Sequence, residues 1–219
     1  MHKLLAALAL LAASPATAQG SRAEDLAAVA PAEAWEIGPV IRNRNYSVGM
    51  PPSPRGAPRG WSFDFPVGRD ASAGHVHYVT LPVRPLAGAR EIVARFRVDA
   101  RAGTRFLPQE RPDAPATVTL YFQRRGDNWS GEGRFDAYRW YWNAGVTQLR
   151  PGEFELRAPL DGPGWTGVSS AYASIAPGFR AALGDTGRVG LVFGGPTGLG
   201  HGVFATAPAR FTLLSYTIR

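Results

Sequence analysis

The chain has 219 residues, which suffice for one well-formed apolar core or at most two small ones. It contains no cysteine, so disulfide bonds and a lipid attached to cysteine are excluded, and stability must come from an apolar core. The formal net charge is +7, but the arginines are scattered, with no run longer than Arg124-Arg125. This scatter is typical of a generally basic, solvated surface, and we expect no nucleic acid partner.

The first 18 residues carry the pattern of a cleaved export signal. A short basic start, Met1–Lys3, precedes an apolar run of leucine and alanine, Leu4–Ala13, and a small-x-small cleavage pattern at Ala16–Ala18. The apolar run is about half as long as a membrane-spanning helix. Lys3 is the only lysine, and the use of arginine in its place, with abundant alanine, glycine and proline, indicates a GC-rich bacterial genome. We therefore expect a signal peptide over residues 1–18, a periplasmic or secreted mature protein, and no membrane span.

Two regions follow the signal. Residues 19–34 are rich in alanine and lack strand alternation, which predicts a loose N-terminal leader or a short helix. Residues 35–219 show short apolar runs with a period of two, separated by Gly, Pro and Asp, and predict a single domain. The predicted strands are Trp61–Phe65, His75–Leu81, Glu91–Ala100, Thr117–Arg124, Phe135–Trp142, Glu153–Ala158, Arg188–Phe193, Gly202–Thr206 and Arg210–Ile218. With one short helix near Pro177–Leu183, they predict an all-β fold, an antiparallel β-sandwich of the jelly-roll type.

Residues 121–142 hold eight of the 24 aromatic residues and four arginines. Aromatic side chains are usually buried, but here they alternate with Arg, Asp, Asn and Gly, so we expect some of them to face water. In the strand Thr117–Arg124, the more polar face carries Tyr121, which we expect to line a groove. Exposed rings beside arginines suit a sugar or another extended polar ligand.

The predicted strand Phe135–Trp142 carries rings on both faces. One row consists of Asp136, Tyr138, Trp140 and Trp142, and the other of Phe135, Ala137, Arg139 and Tyr141. The strand is therefore either covered on both sides or exposes one aromatic row. Tyr138, Trp140 and Trp142 are the candidate ligand-binding row.

The segment between these two strands is typical of a hairpin connection. The candidate ligand contacts in it are Arg124, Arg125, Asp127, Asn128 and Trp129. Asp127 is suited to close an Asx-turn. Trp129 at the tip would stack on a sugar, while arginine and carboxylate groups would contact its hydroxyls. The alternative is that Trp129 folds back as a lid on the core.

A series of features over residues 61–219 resembles a known superfamily. In order, they are Leu86-Ala87-Gly88, a strand at Ile92–Val98, an aromatic hairpin, Pro159-Leu160-Asp161 before Trp165, a helical turn at Phe179–Leu183, the strand Arg188–Phe193 and a final strand Phe211–Ile218. This order resembles the galactose-binding-like jelly rolls, which include many carbohydrate-binding modules of secreted bacterial proteins. The resemblance implies that fold and a tendency to bind glycans. The structural calcium site common in that superfamily has no recognisable counterpart, and we expect no cofactor.

Three histidines suggest a different function. His75 and His77 are two residues apart on a predicted strand and would point the same way, and His201 lies between two glycines. Together they resemble half of a cupin metal site that would hold a divalent metal. The pattern departs from cupins where Thr80-Leu81-Pro82 replaces the expected carboxylate. Neutral histidines that bind no metal are the alternative.

Other reaction chemistry has weaker sequence support. Asp127, Glu132 and Asp136 would offer a glycosidase pair, but acids near arginines are more often an ion-paired rim. Ser169 and Ser170 lack the sequence of a nucleophile elbow. We therefore expect a non-catalytic exported protein that binds a polysaccharide or an envelope glycan. The alternatives are a metal-dependent jelly-roll enzyme that uses the histidines, and an envelope protein that binds another protein through its aromatic residues.

Overall fold

The computed structural model describes residues 24–25, 30–70, 75–169 and 172–219, so the predicted signal peptide over residues 1–18 lies outside the described residues. The strands are β1 (Glu24–Asp25), β2 (Glu36–Gly38), β3 (Val40–Ile41), β4 (Arg44–Asn45), β5 (Arg55–Gly56), β6 (Trp61–Asp64), β7 (His77–Pro82), β8 (Glu91–Ala100), β9 (Phe106–Pro108), β10 (Thr117–Arg124), β11 (Arg139–Trp142), β12 (Thr147–Gln148), β13 (Gly152–Pro159), β14 (Trp165–Thr166), β15 (Thr186–Gly194), β16 (Val203–Ala205) and β17 (Ala209–Ile218). The α-helix of the described part is α1 (Tyr172–Gly184), and short 3-10 helices span Ala32–Ala34, Gly133–Ala137 and Asn143–Gly145.

Two large antiparallel sheets form the molecule. Strands β13, β8, β17, β6 and β5 lie in this order in a six-stranded sheet, which β1 joins beside β17. Strands β14, β11, β10, β15, β7 and β2 lie in this order in a seven-stranded sheet, which β12 joins beside β10. The pairs β9–β16 and β3–β4 form two separate two-stranded sheets. The predicted all-β, antiparallel sandwich with one helix is confirmed for the described residues.

The apolar core lies between the two sheets, because alternate residues of each strand point inward. On β8, Ile92, Ala94, Phe96 and Val98 form the predicted inner row, and all are buried. Large rings fill the space between the sheets, and Phe96 packs on Phe211 with ring centroids 4.9 Å apart. Burying such a side chain contributes about 2–3 kcal/mol, so this core replaces the stabilisation that disulfides would give.

The seven-stranded sheet is buried on both faces. On β10, Val118, Leu120 and Phe122 belong to the core, as their alternation predicts. Tyr121 points to the opposite face and is also fully buried, in a second apolar cluster. The predicted difference between the faces of this strand is therefore present, but other residues cover the outer face as well.

The predicted strand Phe135–Trp142 is wrong in its first half. A 3-10 helix occupies Gly133–Ala137, and Tyr138 has α-helical backbone angles, φ −93° and ψ −28°. An extended strand cannot pass through such a residue, so β11 begins only at Arg139. The aromatic rows predicted for this strand therefore apply only to its last four residues.

The helix is longer than expected. Helix α1 begins before the predicted Pro177, and its backbone breaks at Ile175, with φ −129° and ψ 18°. Pro177 comes two residues after this break, where the first turn of a helical segment tolerates proline. Within residues 19–34, Glu24–Asp25 pairs with the end of β17 as strand β1, and Ala32–Ala34 forms a short 3-10 helix. Within the described residues, no helix has both the length and the apolar character needed to cross a membrane.

Candidate binding cleft

A cleft of about 600 Å³ lies on the outer face of the seven-stranded sheet, opposite the core. We call it the outer-face cleft. Its walls come from three loops, those around Pro39–Tyr46, Thr166–Ser169 and Pro196–His201. The side chains that define its floor and rim are Ile41, Tyr46, Val76, Tyr78, Trp129, Arg139, Tyr141, Asn143, Val168, Ser169, Thr197, Leu199 and His201. Volumes of about 300–1,000 Å³ are typical of small-molecule sites.

Two tyrosines, Tyr78 and Tyr141, form the base of the cleft, and the fully buried Tyr121 packs against both without lining it, contrary to the expectation from the sequence. The strand register places Tyr121 directly beside Tyr141, and it aligns Tyr78 with Val192 on β15. The ring centroids of Tyr78 and Tyr121 are 5.1 Å apart, and those of Tyr121 and Tyr141 are 5.4 Å apart. The hydroxyls of Tyr78 and Tyr141 share a hydrogen bond of 2.9 Å, and both residues line the cleft. Antiparallel pairing therefore converts residues that are distant in sequence into one polar-tipped aromatic floor.

The phenol groups of this floor remain protonated. Burial raises the pKa of Tyr78 and of Tyr121 well above the usual value of a tyrosine. Burial also raises the pKa of Tyr141, although the positive charge of Arg139 acts in the opposite direction. The floor therefore presents neutral hydroxyl groups, which both donate and accept hydrogen bonds.

Arg139 and Asp127 form a buried ion pair beside the tyrosines. The Arg139 Nε and an Asp127 carboxylate oxygen are 2.9 Å apart, and the two side chains are only 8% and 0% exposed. The Gln123 amide donates a hydrogen bond of 2.9 Å to the same carboxylate, and Arg139 also donates to the Ser130 carbonyl. Burial raises the pKa of Asp127, while Arg139 and its hydrogen-bond donors act to lower it. The pair ties the hairpin after β10 to the first residue of β11.

Trp129 forms one side of the cleft. Its backbone lies in the left-handed region, with φ +67°, which is uncommon for a residue other than glycine. The predicted Asx-turn is present, because the Asp127 carboxylate accepts a hydrogen bond of 3.0 Å from the Trp129 N–H. The half-buried indole meets the edge of Tyr78 at 5.2 Å, and the Arg139 guanidinium lies 5.2 Å from its ring. Trp129 is therefore neither a free tip nor a lid on the main core, but a wall over the tyrosine floor.

The predicted residues on the hairpin lie beside this wall. Arg124 and Arg125 line a smaller groove of about 360 Å³, which shares Pro39 and Trp129 with the outer-face cleft. The Arg124 guanidinium pairs with Asp185 at 3.0 Å and stacks on Tyr138 at 4.8 Å.

The last predicted hairpin residue stabilises its own loop. Asn128 is exposed, and its side-chain oxygen accepts a hydrogen bond of 2.9 Å from the Ser130 N–H. This bond shapes the loop backbone that follows the Asx-turn.

The predicted exposure of the aromatic row Tyr138, Trp140 and Trp142 is wrong. Trp140 is 0% exposed, and its ring packs in the core against Phe179 at 4.9 Å. Trp142 is half-buried on the same side of the sheet, 5.5 Å from Trp165. Tyr138 is buried as well, beneath Arg124. The inner face of β11 needs bulky rings to fill the space under helix α1, so Trp140 and Trp142 point inward, while Tyr138 lies before the strand.

The opposite row supplies the cleft, and the sequence interpretation passed over it. Arg139 and Tyr141 alternate with Trp140 and point outward. A signal was available, because a row that contains arginine is the less suitable one for an apolar core. Tyr78 had a similar signal in its alternation with the core residue Val79. Tyr46 lies in a loop without periodicity, and no local pattern indicates its place.

The three histidines do not converge on a metal site. His77 is fully buried and its Nδ1 accepts a hydrogen bond of 3.0 Å from the Val203 N–H. His201 is exposed and its Nδ1 lies 2.7 Å from a Glu110 carboxylate oxygen. Nowhere in the described part of the chain do three or more His, Cys, Asp or Glu side chains stand close enough to share a metal ion. The predicted set of His75, His77 and His201 is therefore corrected.

Among the acids and serines considered for catalysis, Asp127 and Asp136 hold loop backbone in place. The Asp127 carboxylate is occupied by Arg139 and by amide donors, as described above. Asp136 accepts a hydrogen bond of 3.0 Å from the Ser169 N–H, which fixes the loop at the cleft edge. Glu132 is exposed, and Ser170 lies outside the described residues. The side chains of the outer-face cleft are suited to stacking and hydrogen bonding.

In comparisons with known proteins, no family model matches the chain, and no curated protein matches its sequence.

Proposed function

We propose that this protein is an exported, non-catalytic jelly-roll β-sandwich that binds a glycan, or the saccharide part of an envelope polymer, in the outer-face cleft. The export signal and the resemblance to galactose-binding-like jelly rolls support this assignment. The ligand position differs from the one expected from the sequence, because the aromatic row of Trp140 fills the core. The outward row of Arg139 and Tyr141, with Tyr78 and Trp129, replaces it.

The observation that carries the proposal is the pairing of flat rings with fixed polar groups in one open cleft. Sugars have apolar faces formed by C–H groups and edges formed by hydroxyls, so they need both kinds of partner. Trp129 and Tyr46 offer rings at the sides, and the Tyr78–Tyr141 hydroxyl pair offers hydrogen bonds at the floor. Asn143 and Ser169 add exposed polar groups at the rim. The two side rings, Trp129 and Tyr46, are partly exposed, and partly exposed rings gathered in one cleft suit an interaction site.

Binding to a glycan array and to insoluble polysaccharides tests the proposal. We expect the purified mature protein to bind specific glycans. Trp129→Ala should lower the affinity for the tightest-binding glycan at least tenfold, because the cleft loses its wall. Trp142→Ala is the matched control, since it removes a half-buried tryptophan from the opposite side of the sheet. Melting temperatures of both variants separate loss of fold from loss of binding.

A second variant keeps the test independent of tryptophan removal. Asn143→Ala changes one exposed rim residue and should leave the fold intact while weakening the same glycan. If both folded cleft variants bind as the unaltered protein does, or if Trp142→Ala alone loses binding, this cleft is not the site.

A further inference from the structure

The charge of Arg139 in the outer-face cleft is balanced by a carboxylate of the protein itself, although the chain has a formal net charge of +7. Apart from the tyrosines, the titratable side chains among the described lining residues are Arg139 and His201. Arg139 is paired with Asp127 at 2.9 Å, and His201 with Glu110 at 2.7 Å. The guanidinium of Arg139 and the imidazole of His201 therefore each already have a carboxylate partner within the protein.

Part of the Arg139 guanidinium is also held by groups of the protein. Its Nε faces the Asp127 carboxylate, one terminal nitrogen donates to the Ser130 carbonyl, and its flat face lies over Trp129. A ligand carboxylate or phosphate would have to compete with Asp127 for this guanidinium in a site that excludes water from both side chains. Bringing a second anion next to the buried Asp127 carboxylate is unfavourable, because like charges in such surroundings repel strongly.

The remaining polar groups suit hydroxyls. The floor offers the hydroxyls of Tyr78 and Tyr141, and the rim offers Asn143, Ser169 and Thr197, all uncharged. Hydroxyl and amide groups pair with sugar hydroxyls as both donors and acceptors, and none of them supplies the charge that would offset the desolvation of an anion.

We propose that the cleft selects an uncharged saccharide over a uronic acid, sialic acid or phosphorylated glycan, despite the basic surface around it. This inference rests on the proposed function and narrows it to one chemical class of ligand. The surface charge would favour the opposite choice, so the two physical effects predict different ligands and are separable by experiment.

Matched pairs of oligosaccharides test the selection. The probes are tetramers of galactose, mannose and glucose and the corresponding tetramers of galacturonic, mannuronic and glucuronic acid, measured by calorimetry together with a glycan array that carries neutral and acidic members. We expect the bound sugar to be at least tenfold weaker in its acid form. We also expect the affinity of the neutral form to change less than twofold between 20 and 300 mM salt, since no ion pair forms.

The outcomes separate the two levels of the proposal. If an acidic glycan binds at this cleft more tightly than its neutral partner and weakens with salt, the selectivity is wrong and the glycan function stands. If an acidic glycan still binds after Trp129→Ala, it binds on the general basic surface, and the selectivity of the cleft stands. If no neutral or acidic member of the array binds, the glycan function itself is contradicted.

Discussion

The buried pair of Asp127 and Arg139 gives the sharpest test of how the cleft is held together. The substitution Asp127→Asn keeps the size of the side chain and removes its charge. Arg139 then remains in the same place with an exposed fraction of only 8% and no opposite charge beside it. A buried charge without a partner is poorly solvated, so the folded state should lose stability.

The expected loss is about 3 kcal/mol in the free energy of unfolding. Breaking a buried ion pair by removing one partner costs about 3–5 kcal/mol. The lower end applies here, because Arg139 keeps its bond to the Ser130 carbonyl and its contact with the Trp129 ring. The exposed pair Arg111–Asp113 is the matched control, with side chains 64% and 69% exposed and atoms 3.3 Å apart. Asp113→Asn should cost far less than Asp127→Asn, because water already solvates both of its charges.

Urea denaturation followed by fluorescence measures both losses on the same scale. The slope of the free energy against urea should stay constant, so that the midpoint reports stability alone. The double variant Asp127→Asn with Arg139→Gln should be more stable than Asp127→Asn by at least about 1 kcal/mol, because no buried charge remains. If Asp127→Asn loses no more than Asp113→Asn, the reasoning from burial is refuted.

Three further predictions concern single buried groups. In urea denaturation, Tyr121→Phe should change the free energy of unfolding by no more than about 0.5 kcal/mol, because the Tyr121 hydroxyl bonds to no described residue. Tyr141→Phe should cost about 1 kcal/mol, because it removes the hydrogen bond to Tyr78, and equal losses in the two variants would contradict this reasoning. Burial, with a smaller effect of His75, lowers the pKa of His77 from 6.5 to about 3. Between these two pH values, the His77 side chain is therefore protonated in the unfolded chain and neutral in the folded one. Stability should therefore fall by about 2 kcal/mol from pH 6.5 to 5, and a melting profile of His77→Asn with the same slope would disprove the assignment. Gly190→Ala would place a Cβ 2.1 Å from a carbonyl of β7 and should cost more than about 3 kcal/mol, whereas Gly56→Ala meets nothing within 4 Å and should stay within about 0.5 kcal/mol; comparable melting temperatures would contradict the packing argument.

The long strands could be predicted from the sequence because each one alternates over several residues. Glu91–Ala100 and Thr117–Arg124 have the predicted bounds, since core packing on one face enforces a period of two along their whole length. Two-residue strands such as Arg55–Gly56 escaped prediction, because two residues carry no periodicity. These short pairings depend on neighbours that only the folded chain supplies.

The cleft was harder to predict than the fold. In β11 both faces carry rings, and the sequence alone does not say which face meets the other sheet. The turn of backbone at Tyr138 and the position of helix α1 decide it, and both are properties of the folded chain. The Asx-turn at Asp127 was predictable, because a local side chain–backbone bond shapes it, whereas the position of Trp129 depends on its contacts with Tyr78 and Arg139 on other strands.

The wall of the cleft is fixed before any ligand arrives, which connects the stability of the protein with its binding. The left-handed backbone of Trp129 costs about 1–2 kcal/mol, and contacts with Asp127, Arg139 and Tyr78 hold it in place. A wall held in this way loses little entropy when a ligand binds. Asp127→Asn should therefore leave Trp129 less well ordered. It should weaken glycan binding for that reason, although the Asp127 side chain does not line the outer-face cleft. In calorimetry, adding Trp129→Ala to Asp127→Asn should cost less affinity than Trp129→Ala alone, and fully additive losses would show that the ion pair does not position the indole.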